Sequence, residues 1–476
     1  MKIKFGTDGW RGIIADDFTC DNVRVCARGV AAYVQRSGVS SAGLVVGYDT
    51  RFASEYFAQA AAEVLTASGI PVYLCGEFAP TPVISFAVRE LGAAGAIIIT
   101  ASHTPGHYNG VKFRSAYGGA ASAEELAHIQ AAIDEAVQGS LPVERTTLSA
   151  ATQAGLLESF DPQPAYFRHL AALVDLERIR QAPLHLVVDP MYGAGQGYFP
   201  ALLQGGRVRL TEIHGTRHPL FPGLRAPEPV PENLDELRQT VAAGRADLGL
   251  ANDGDADRLA LVDEAGRSLD NFQVYPLLLA YLLAVRGARG PVVKTVATSS
   301  LVDRVAARFG APVQMTGVGF THIAPAMVRS GAIFGGEESG GYAFGDHLPE
   351  RDGILAGLRV VDMVVHAGKP LSRLLCDLQA EYGVYYYQRR DVPFSPKLRA
   401  QVNAALKSRP PDRLGGQPVL GMITVDGLRL DLADGSWLLM RLSGTEPVIR
   451  ICGESLVEER VPVLLVEGAR LLGLQL

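Results

Sequence analysis

The sequence predicts an α/β protein with three similar mixed α/β domains plus a smaller C-terminal α+β domain around a central cleft. Three observations predict it. A strand–helix–strand pattern recurs three times, each copy leads to a polar loop that contains glycine, and the pattern changes after about Tyr382. Long α/β chains often reuse one supersecondary unit in this way. Since the 476 residues exceed one ordinary core, we expect domains at 1–150, 151–262, 263–381 and 382–476.

The first copy of the repeat begins with an apolar strand, LVVGY, at Leu44–Tyr48. A helix is predicted over 54–68, because apolar residues such as Phe57 and Val64 fall on one face. Gly69 ends this helix, and IPVYLCG follows as a second strand.

The other two copies follow the same order. The second begins with LHLVVDP, passes a short helix broken by Gly205 and Gly206, and returns through RVRLTEIHG. The third begins with PVVKTV, and its helix is predicted to be capped by Ser300 and to end at Gly310 before APVQMTG.

Each copy then reaches a further apolar strand and a polar loop. The three stretches are AIIITASHTPGHYNG from Ala96, ADLGLANDGDADR from Ala246 and AIFGGEESGG from Ala332. Ligands of α/β sheets gather at the loops beyond strand ends, so these loops are expected to converge on one cleft.

The C-terminal segment has a different pattern. A helix is predicted over 397–407, and SWLLMR and VIRICG are predicted to be strands on either side of the turn LSGTEP. The tail over 457–472 is typical of an amphipathic helix. We therefore expect a smaller α+β domain here.

Composition excludes several classes of function. The net charge is −6 and the 44 lysines and arginines are scattered, which argues against a nucleic-acid partner. No apolar stretch follows the first lysines, and the longest apolar run, PLLLAYLLAV, is too short to span a bilayer. Five cysteines without a CxxC pair suit reduced thiols. We expect a cytoplasmic protein without a membrane partner.

The first polar loop holds Ser102 within the run TASHTP. A serine after a strand most often serves a turn, and the chain has no G-x-S-x-G elbow around this one, which argues against acyl transfer. The neighbouring His103 is not an obvious activating base, because adjacent residues on extended backbone point to opposite faces. A serine that carries a phosphate would instead need a metal ion and cationic groups nearby.

The second loop offers metal ligands. Asp253, Asp255 and Asp257 alternate with small residues, so their carboxylates can converge on a hard divalent cation. A solvated acidic turn and an EF-hand calcium loop are the alternatives, the latter with Glu264 as its twelfth residue. The EF-hand pattern fails at position six, where Arg258 replaces glycine, and LALVDE after it predicts a strand. Magnesium is therefore favoured over calcium.

Two further motifs are polar turns when taken alone. GGEESGG carries two carboxylates and a hydroxyl that can hydrogen bond to sugar hydroxyls. RLSGTEP combines an arginine fork, hydroxyls and glycine-freed N–H groups, which suit a phosphate dianion, although a simple hairpin turn explains it equally well.

Together these motifs resemble the α-D-phosphohexomutase family. The resemblance spans nearly the whole chain, through FGTDGWRG, TASHTP with YNGVKF, DGDADR, GEESGG with PERDGI, and RLSGTEPVIR in the family's order. It implies three similar α/β domains and a fourth around a cleft. Two positions depart from the usual family pattern. Thr104 stands where asparagine is common, and Thr321 stands where glucose-type members often carry lysine.

The resemblance also implies a role for each site residue. The phosphoserine is Ser102, which holds magnesium through a phosphate oxygen together with the three aspartates. Basic side chains are expected to lie near the transferring phosphate, and Lys112 is a candidate for proton transfer. The implied residues are Ser102, Lys112, Arg11 and His103 for catalysis; Asp253, Asp255 and Asp257 for the metal; and Arg258, Glu337, Ser339, Arg441, Ser443, Gly444, Thr445 and Arg450 for substrate.

The implied activity is interconversion of a sugar 1-phosphate and 6-phosphate, with glucose 1,6-bisphosphate as intermediate and activator and Mg²⁺ as cofactor. TASH and GEESGG are closer to the phosphoglucomutase type than to the glucosamine type, which usually has SASH and GEQSGH. Phosphomannomutase, phosphoglucosamine mutase and glucose 1,6-bisphosphate synthase are alternatives, and a non-catalytic calcium-dependent sugar-binding protein is one from another class. The expected partner is a sugar phosphate, and the chain is expected to be a monomer or homodimer.

Overall fold

The first sheet has six strands, in the order β1-β5-β4-β2-β3-β6, and helices cover both of its faces. The computed structural model describes residues 3–6, 8–443 and 448–474. Along β4, Ala96 and Ile98 face one core while Ile97 and Ile99 face the other. The first sheet and its helices consist of β1 (Trp10–Ile13), α1 (Cys20–Arg36), β2 (Leu44–Tyr48), α2 (Ser54–Ala67), β3 (Val72–Cys75), α3 (Thr81–Leu91), β4 (Gly95–Ile99), β5 (Tyr108–Ser115), α4 (Ala123–Val137), α5 (Leu148–Gln153) and β6 (Leu157–Phe160).

The second and third sheets have four strands each. The second is formed within α6 (Gln163–Leu173), α7 (Leu176–Gln181), β7 (His185–Asp189), α8 (Tyr198–Leu203), β8 (Arg209–Glu212), α9 (Asp235–Gly244), β9 (Leu248–Asn252) and β10 (Leu259–Asp263). The third is formed within α10 (Asn271–Ala284), β11 (Val292–Thr295), α11 (Leu301–Arg308), β12 (Val313–Thr316), α12 (Phe320–Ser330), β13 (Phe334–Gly336), β14 (Tyr342–Phe344), α13 (Gly353–Ala367) and α14 (Leu371–Tyr382).

One strand arrangement occurs in all three sheets. The quartets β3-β2-β4-β5, β8-β7-β9-β10 and β12-β11-β13-β14 each contain three parallel strands followed by an antiparallel one. In every quartet the loop between the third strand and the antiparallel strand is one of the predicted polar loops. The predicted threefold repeat is therefore confirmed, and the three loops occupy equivalent positions.

The fourth sheet is antiparallel, in the order β15-β20-β19-β18-β17-β16. It packs against the third α/β unit through Trp437, Leu439 and Cys452, which share a core with Val296 and Ala297. Its elements are β15 (Tyr386–Pro393), α15 (Arg399–Leu406), β16 (Arg413–Leu414), β17 (Gln417–Ile423), β18 (Leu428–Leu432), β19 (Trp437–Leu442), β20 (Val448–Ser455) and α16 (Arg460–Leu471). The predicted smaller α+β domain is thus confirmed.

Two local expectations need correction. The Ser300 side chain does not cap α11; its Oγ instead lies 3.3 Å from a guanidinium nitrogen of Arg429, and Ser299 Oγ accepts from the Leu301 N–H at 3.0 Å. The Ser300 hydroxyl therefore bonds to Arg429 of the fourth unit, and the predicted cap does not form. The sequence reading also omitted the second helix of each repeat, represented by α3, α9 and α12. The predicted domain boundaries stay predictions, although β6, beyond residue 150, pairs with β3 of the first sheet.

Candidate active site

A cavity of about 450 Å³ lies where the four units meet. It is lined by residues of every unit, including His103 of the first, Glu228 of the second, Glu337 of the third and Arg450 of the fourth. Arginine is the side chain best suited to hold a phosphate dianion by paired N–H donors. The arginines on the cavity wall are Arg11, Arg258, Arg351, Arg389 and Arg450.

Ser102 is buried in a strained turn, directly before His103 of the cavity wall. Its φ of 52° is in the left-handed region, which non-glycine residues seldom adopt. The hydroxyl donates to Asp253 Oδ2 at 2.9 Å, and His103 Nδ1 lies 3.2 Å from the same Oγ. The expectation that His103 would point away from Ser102 is therefore wrong, because the backbone here is a tight turn and not an extended strand.

The Ser102 turn is held by Arg51, which the sequence reading did not single out. Its fully buried guanidinium donates to the carbonyls of Ser102 at 2.7 Å and Thr104 at 2.5 Å, and to those of Pro105 and Tyr108 at 2.9 Å each. Asp49 pairs with this arginine at 3.2 Å and accepts from Thr100 Oγ1, which in turn accepts from the Ser102 N–H.

Asp253, Asp255 and Asp257 form a buried carboxylate cluster. One oxygen from each lies within 4.8 Å of the others, a spacing that a single divalent ion can bridge. Burial, followed by repulsion from Asp257 and Asp255, raises the pKa of Asp253 well above its ordinary value. A cation at this position would remove that repulsion.

The hydrogen bonds of the cluster leave oxygens free for a metal. Asp255 Oδ2 accepts from Thr81 Oγ1 at 2.6 Å and from Lys112 Nζ at 2.8 Å, whereas its Oδ1 is buried and, among the described residues, without a partner. Asp257 repeats this arrangement, with Arg351 at 2.8 Å from Oδ2 and Oδ1 unpaired within the described chain. Unpaired buried carboxylate oxygens are costly, so the donor set fits Mg²⁺.

Lys112, on strand β5, ties the first unit to the second loop. Its ammonium lies 2.8 Å from Asp255, 3.1 Å from Asp8 and 3.4 Å from Asp257, and the side chain is buried. Burial alone would lower the pKa of Lys112, but the carboxylates of Asp255, Asp8 and Asp257 outweigh it and raise the pKa. The charged form is favoured, which suits neutralisation of a phosphate, and proton transfer by Lys112 stays a prediction.

Arg351 and Asp8 connect the remaining loops. Arg351 contacts Asp257 at 2.8 Å, Glu337 at 3.1 Å and Asp8 at 3.3 Å, while Arg11 lies 3.9 Å from Asp8. The motifs FGTDGWRG and PERDGI contribute to the family resemblance, but no role was predicted for Asp8 or Arg351. Neither motif shows by itself that its charged residue meets a loop hundreds of residues away.

The third loop presents its predicted residues to the cavity. Glu337 Oε1 accepts from Ser339 Oγ at 2.8 Å and from Arg351, and both predicted residues line the cavity wall. Glu338 lines it as well and accepts from Thr295 Oγ1 at 2.7 Å. Burial and the neighbouring Glu337 raise the pKa of Glu338.

Arg258 and His103 meet at Glu228, another residue that sequence reasoning missed. Glu228 Oε1 lies 3.2 Å from Arg258 and 4.0 Å from His103 Nε2. Burial, followed by the positive charges of Arg258 and Arg11, lowers the pKa of His103 well below its ordinary range. His103 is therefore neutral near pH 7 in this site.

The fourth unit contributes basic side chains from adjacent strands. Arg450 and Arg389 line the cavity, whereas Arg441, which pairs with Arg450 across the sheet, donates from Nε to Asp426 at 2.6 Å. The same Asp426 oxygen accepts from the N–H of Val318, a cavity residue. The buried Ser443 donates its N–H to the Val448 carbonyl at 2.9 Å. The predicted residues Gly444 and Thr445 lie outside the described residues.

Family models match three segments of the chain. They are "Phosphoglucomutase/phosphomannomutase, alpha/beta/alpha domain I" at residues 2–139, domain II at 164–266 and domain III at 272–382. With the equivalent polar loops and the serine–carboxylate site, these matches define an intramolecular phosphotransferase, an isomerase of sugar phosphates.

Whole-chain relatives extend the match. A "Probable phosphoglucosamine mutase" from Methanothermobacter thermautotrophicus is 34% identical over 456 residues, 96% of this chain and 94% of that protein. A "Phosphoglucomutase/phosphomannomutase" from Thermococcus kodakarensis is 34% identical over 470 residues, 98% of each chain. The crystal structure of a "putative phosphomannomutase" from Thermus thermophilus has a TM-score of 0.83 at 34% identity, covering 99% of both chains. The chain belongs to the α-D-phosphohexomutase family.

The alternatives from other classes fail. After the acidic loop the chain forms strand β10, and Glu264 accepts from the N–H of Ser372 in α14 at 3.4 Å, so no EF-hand is present in this described segment. Membership of an enzyme family also excludes the non-catalytic sugar-binding protein. Within the described residues, every helix is too short or too polar to cross a membrane.

Proposed function

We propose that this phosphohexomutase interconverts glucose 1-phosphate and glucose 6-phosphate through phospho-Ser102. The observation that carries the proposal is the position of the Ser102 hydroxyl, 2.9 Å from Asp253 Oδ2 in a buried acidic cluster; His103 and Arg258, the chain neighbours of Ser102 and Asp257, line a cavity walled by arginines. A serine so placed is next to the cation and the positive groups that phosphoryl transfer requires.

The reaction consists of two balanced transfers. In the first, the bond between Ser102 Oγ and phosphorus breaks as a sugar hydroxyl oxygen bonds to that phosphorus, and the proton of that hydroxyl passes to the departing Ser102 Oγ. The bisphosphate then turns, and in the second transfer Ser102 Oγ bonds to the phosphorus at the other end while the bond from that phosphorus to the sugar oxygen breaks; the Ser102 proton passes to that sugar oxygen. Lys112, Arg258 and Arg11 neutralise phosphate charge, the main demand of a loose transition state.

Mg²⁺ fits the site and would be held by Asp253, Asp255 and Asp257, with a phosphate oxygen on Ser102 as a further ligand. Members of the family use Mg²⁺. When bound, the ion supplies electrostatic stabilisation of the transferring phosphoryl oxygens. The unpaired Oδ1 atoms of Asp255 and Asp257 support this assignment.

Glu337 and Ser339 are proposed to bind sugar hydroxyls, and Arg441, Ser443, Gly444, Thr445 and Arg450 the far phosphate. Glucose 1,6-bisphosphate is the proposed intermediate and activator.

Five free cysteines support a reducing, cytoplasmic setting.

Glucosamine phosphate is the second candidate substrate. The names of relatives at 34% identity favour it, and the adjacent carboxylates of Glu337 and Glu338 would also suit an ammonium group on the sugar. A mannose phosphate is the third candidate substrate, because the names of other relatives include phosphomannomutase.

The test is a substrate panel with a mass measurement. Purified protein is assayed with the 1-phosphates of glucose, mannose and glucosamine at trace glucose 1,6-bisphosphate, and its intact mass is recorded. The highest kcat/KM with glucose 1-phosphate and a phosphate adduct lost in Ser102→Ala are expected. A higher kcat/KM with glucosamine 1-phosphate would overturn the sugar choice, and full activity of Ser102→Ala would overturn the mechanism.

A further inference from the structure

A second cavity, of about 400 Å³, lies apart from the active site. The two cavities share none of their lining residues. Helix α3, helix α6 and the segment just before α13 each contribute to its wall, so three separate parts of the chain build it.

The wall of this second cavity is basic. Arg89, Arg168 and His169 line it, and Glu90 is its one carboxylate among the described lining residues. In the part of the chain that the structure describes, neither Arg89 nor Arg168 pairs with a carboxylate, although most other arginines here do. Arg89 is held in place by donating to the His347 carbonyl at 2.9 Å. Two arginines therefore face one pocket whose carboxylate, Glu90, forms an ion pair with neither of them in the described structure.

A chain of hydrogen bonds behind the pocket fixes how His169 is protonated. Asp352 is buried and accepts from the Tyr166 hydroxyl at 2.8 Å and from the Leu355 N–H at 2.8 Å. His347 Nε2 lies 3.0 Å from the same carboxylate, so this nitrogen must be the donor. In the neutral form of His347, Nδ1 then accepts from His169 Nε2, which lies 2.9 Å away.

The direction of this chain leaves one nitrogen of His169 for a ligand. With Nε2 committed to His347, Nδ1 has no hydrogen-bond partner among the described residues. The ring itself is held by stacking on Phe86, with centroids 4.8 Å apart. Protonation of His169 would turn Nδ1 into a third cationic donor beside the two arginines.

We propose that this pocket binds a phosphate dianion, either inorganic phosphate or the phosphate group of a small ester. Two guanidinium groups that have no carboxylate partner among the described residues, together with the histidine, match the charge and the acceptor oxygens of such a group. The site lies next to the active site in the chain, since Asp352 follows Arg351.

Binding should take up a proton on His169. The charged groups around it are Arg89, His347, Asp352 and Asp346, with Arg168 and Glu90 on the pocket wall. Burial, followed by His347 and Arg89, lowers the pKa of His169, so the free pocket holds a neutral ring at pH 7. An anion raises that pKa, and by linkage phosphate should bind more tightly as pH falls.

The test is a titration of the full chain, labelled with ¹⁵N-histidine, by inorganic phosphate. His169 is assigned from the spectrum of His169→Gln. Saturable movement of the His169 signals toward the protonated form is expected, while His103 reports phosphate in the active site independently. If His103 moves and His169 does not, phosphate binds at the active site alone and the proposal fails; it fails equally if neither moves.

Variants separate direct binding from a distant effect. Arg168 is exposed, so Arg168→Ala should fold, and it should weaken the His169 response at least about tenfold while leaving that of His103 unchanged. Arg409→Ala, which removes another exposed arginine, far from both cavities in the chain, is the control. Equal responses in the wild type and in Arg168→Ala would overturn the proposal. Repeating the titration with glucose 6-phosphate tells whether the pocket also takes an ester.

Discussion

Thr81→Val should weaken divalent-metal binding although Thr81 is no ligand. Thr81 begins α3, and it holds Asp255 twice: its Oγ1 donates to Oδ2 at 2.6 Å and its N–H donates to the Asp255 carbonyl at 2.9 Å. The hydroxyl therefore helps to fix the orientation of the Asp255 carboxylate, whose Oδ1 has no partner among the described residues. Valine keeps the shape of threonine and removes only this hydroxyl.

The expected magnitude follows from that single bond. A buried hydrogen bond to a charged group contributes about 1.5–3 kcal/mol, which is roughly a ten- to hundredfold change in an equilibrium constant. Loss of a hydrogen bond that orients a metal ligand typically costs about the same factor in affinity. We therefore expect the Kd for the metal to rise about ten- to hundredfold, with activity largely restored at saturating metal.

The assay is direct binding of Mn²⁺, followed by the electron paramagnetic resonance signal of the free ion. Thr81→Ser keeps the hydroxyl and should bind nearly as the wild type does. Thr66→Val is the matched control, since Thr66 is a buried helical threonine whose hydroxyl bonds only to carbonyls within α2. Unchanged Mn²⁺ affinity in Thr81→Val, or an equal loss in Thr66→Val, would refute the reasoning.

Three more outcomes are expected. Arg51→Lys, which cannot reproduce the guanidinium fork on the Ser102 turn, should lower kcat by roughly tenfold or more; stopped-flow kinetics showing an unchanged kcat would contradict it. Arg441→Ala should lower kcat/KM for hexose phosphates about ten- to hundredfold yet leave transfer from phospho-Ser102 to a small acceptor without a second phosphate unchanged, as followed by intact mass; equal slowing of both would exclude a phosphate clamp. The hydrogen bond to Asp189 raises the pKa of His214 against its burial, so its stabilisation is complete below about pH 6.5 and is lost as pH rises through the raised pKa. The urea midpoint of the wild type should therefore fall more between about pH 6 and 8 than that of His214→Gln.

The repeat could be read from the sequence because each of its signals is local. Apolar strands, helix-ending glycines and the polar loops around Ser102 and Asp253 are runs of neighbouring residues, so their order predicts equivalent sites at equivalent strand ends. The residues that complete the site could not be found in this way. Arg51, Thr81 and Glu228 stand in unremarkable contexts, and each acts on a loop far from it in the chain.

By itself, then, the sequence predicted which side chains form the candidate site: the serine, the three aspartates and the polar loops that hold them, which the structure brings together. Only the tertiary structure decided how those groups are tuned. The left-handed turn at Ser102 brings His103 onto the hydroxyl, and burial of Lys112 among three carboxylates fixes its charge. The physical reason is that hydrogen bonding, desolvation and Coulomb interactions depend on distances through space, which are set only when the four units pack together.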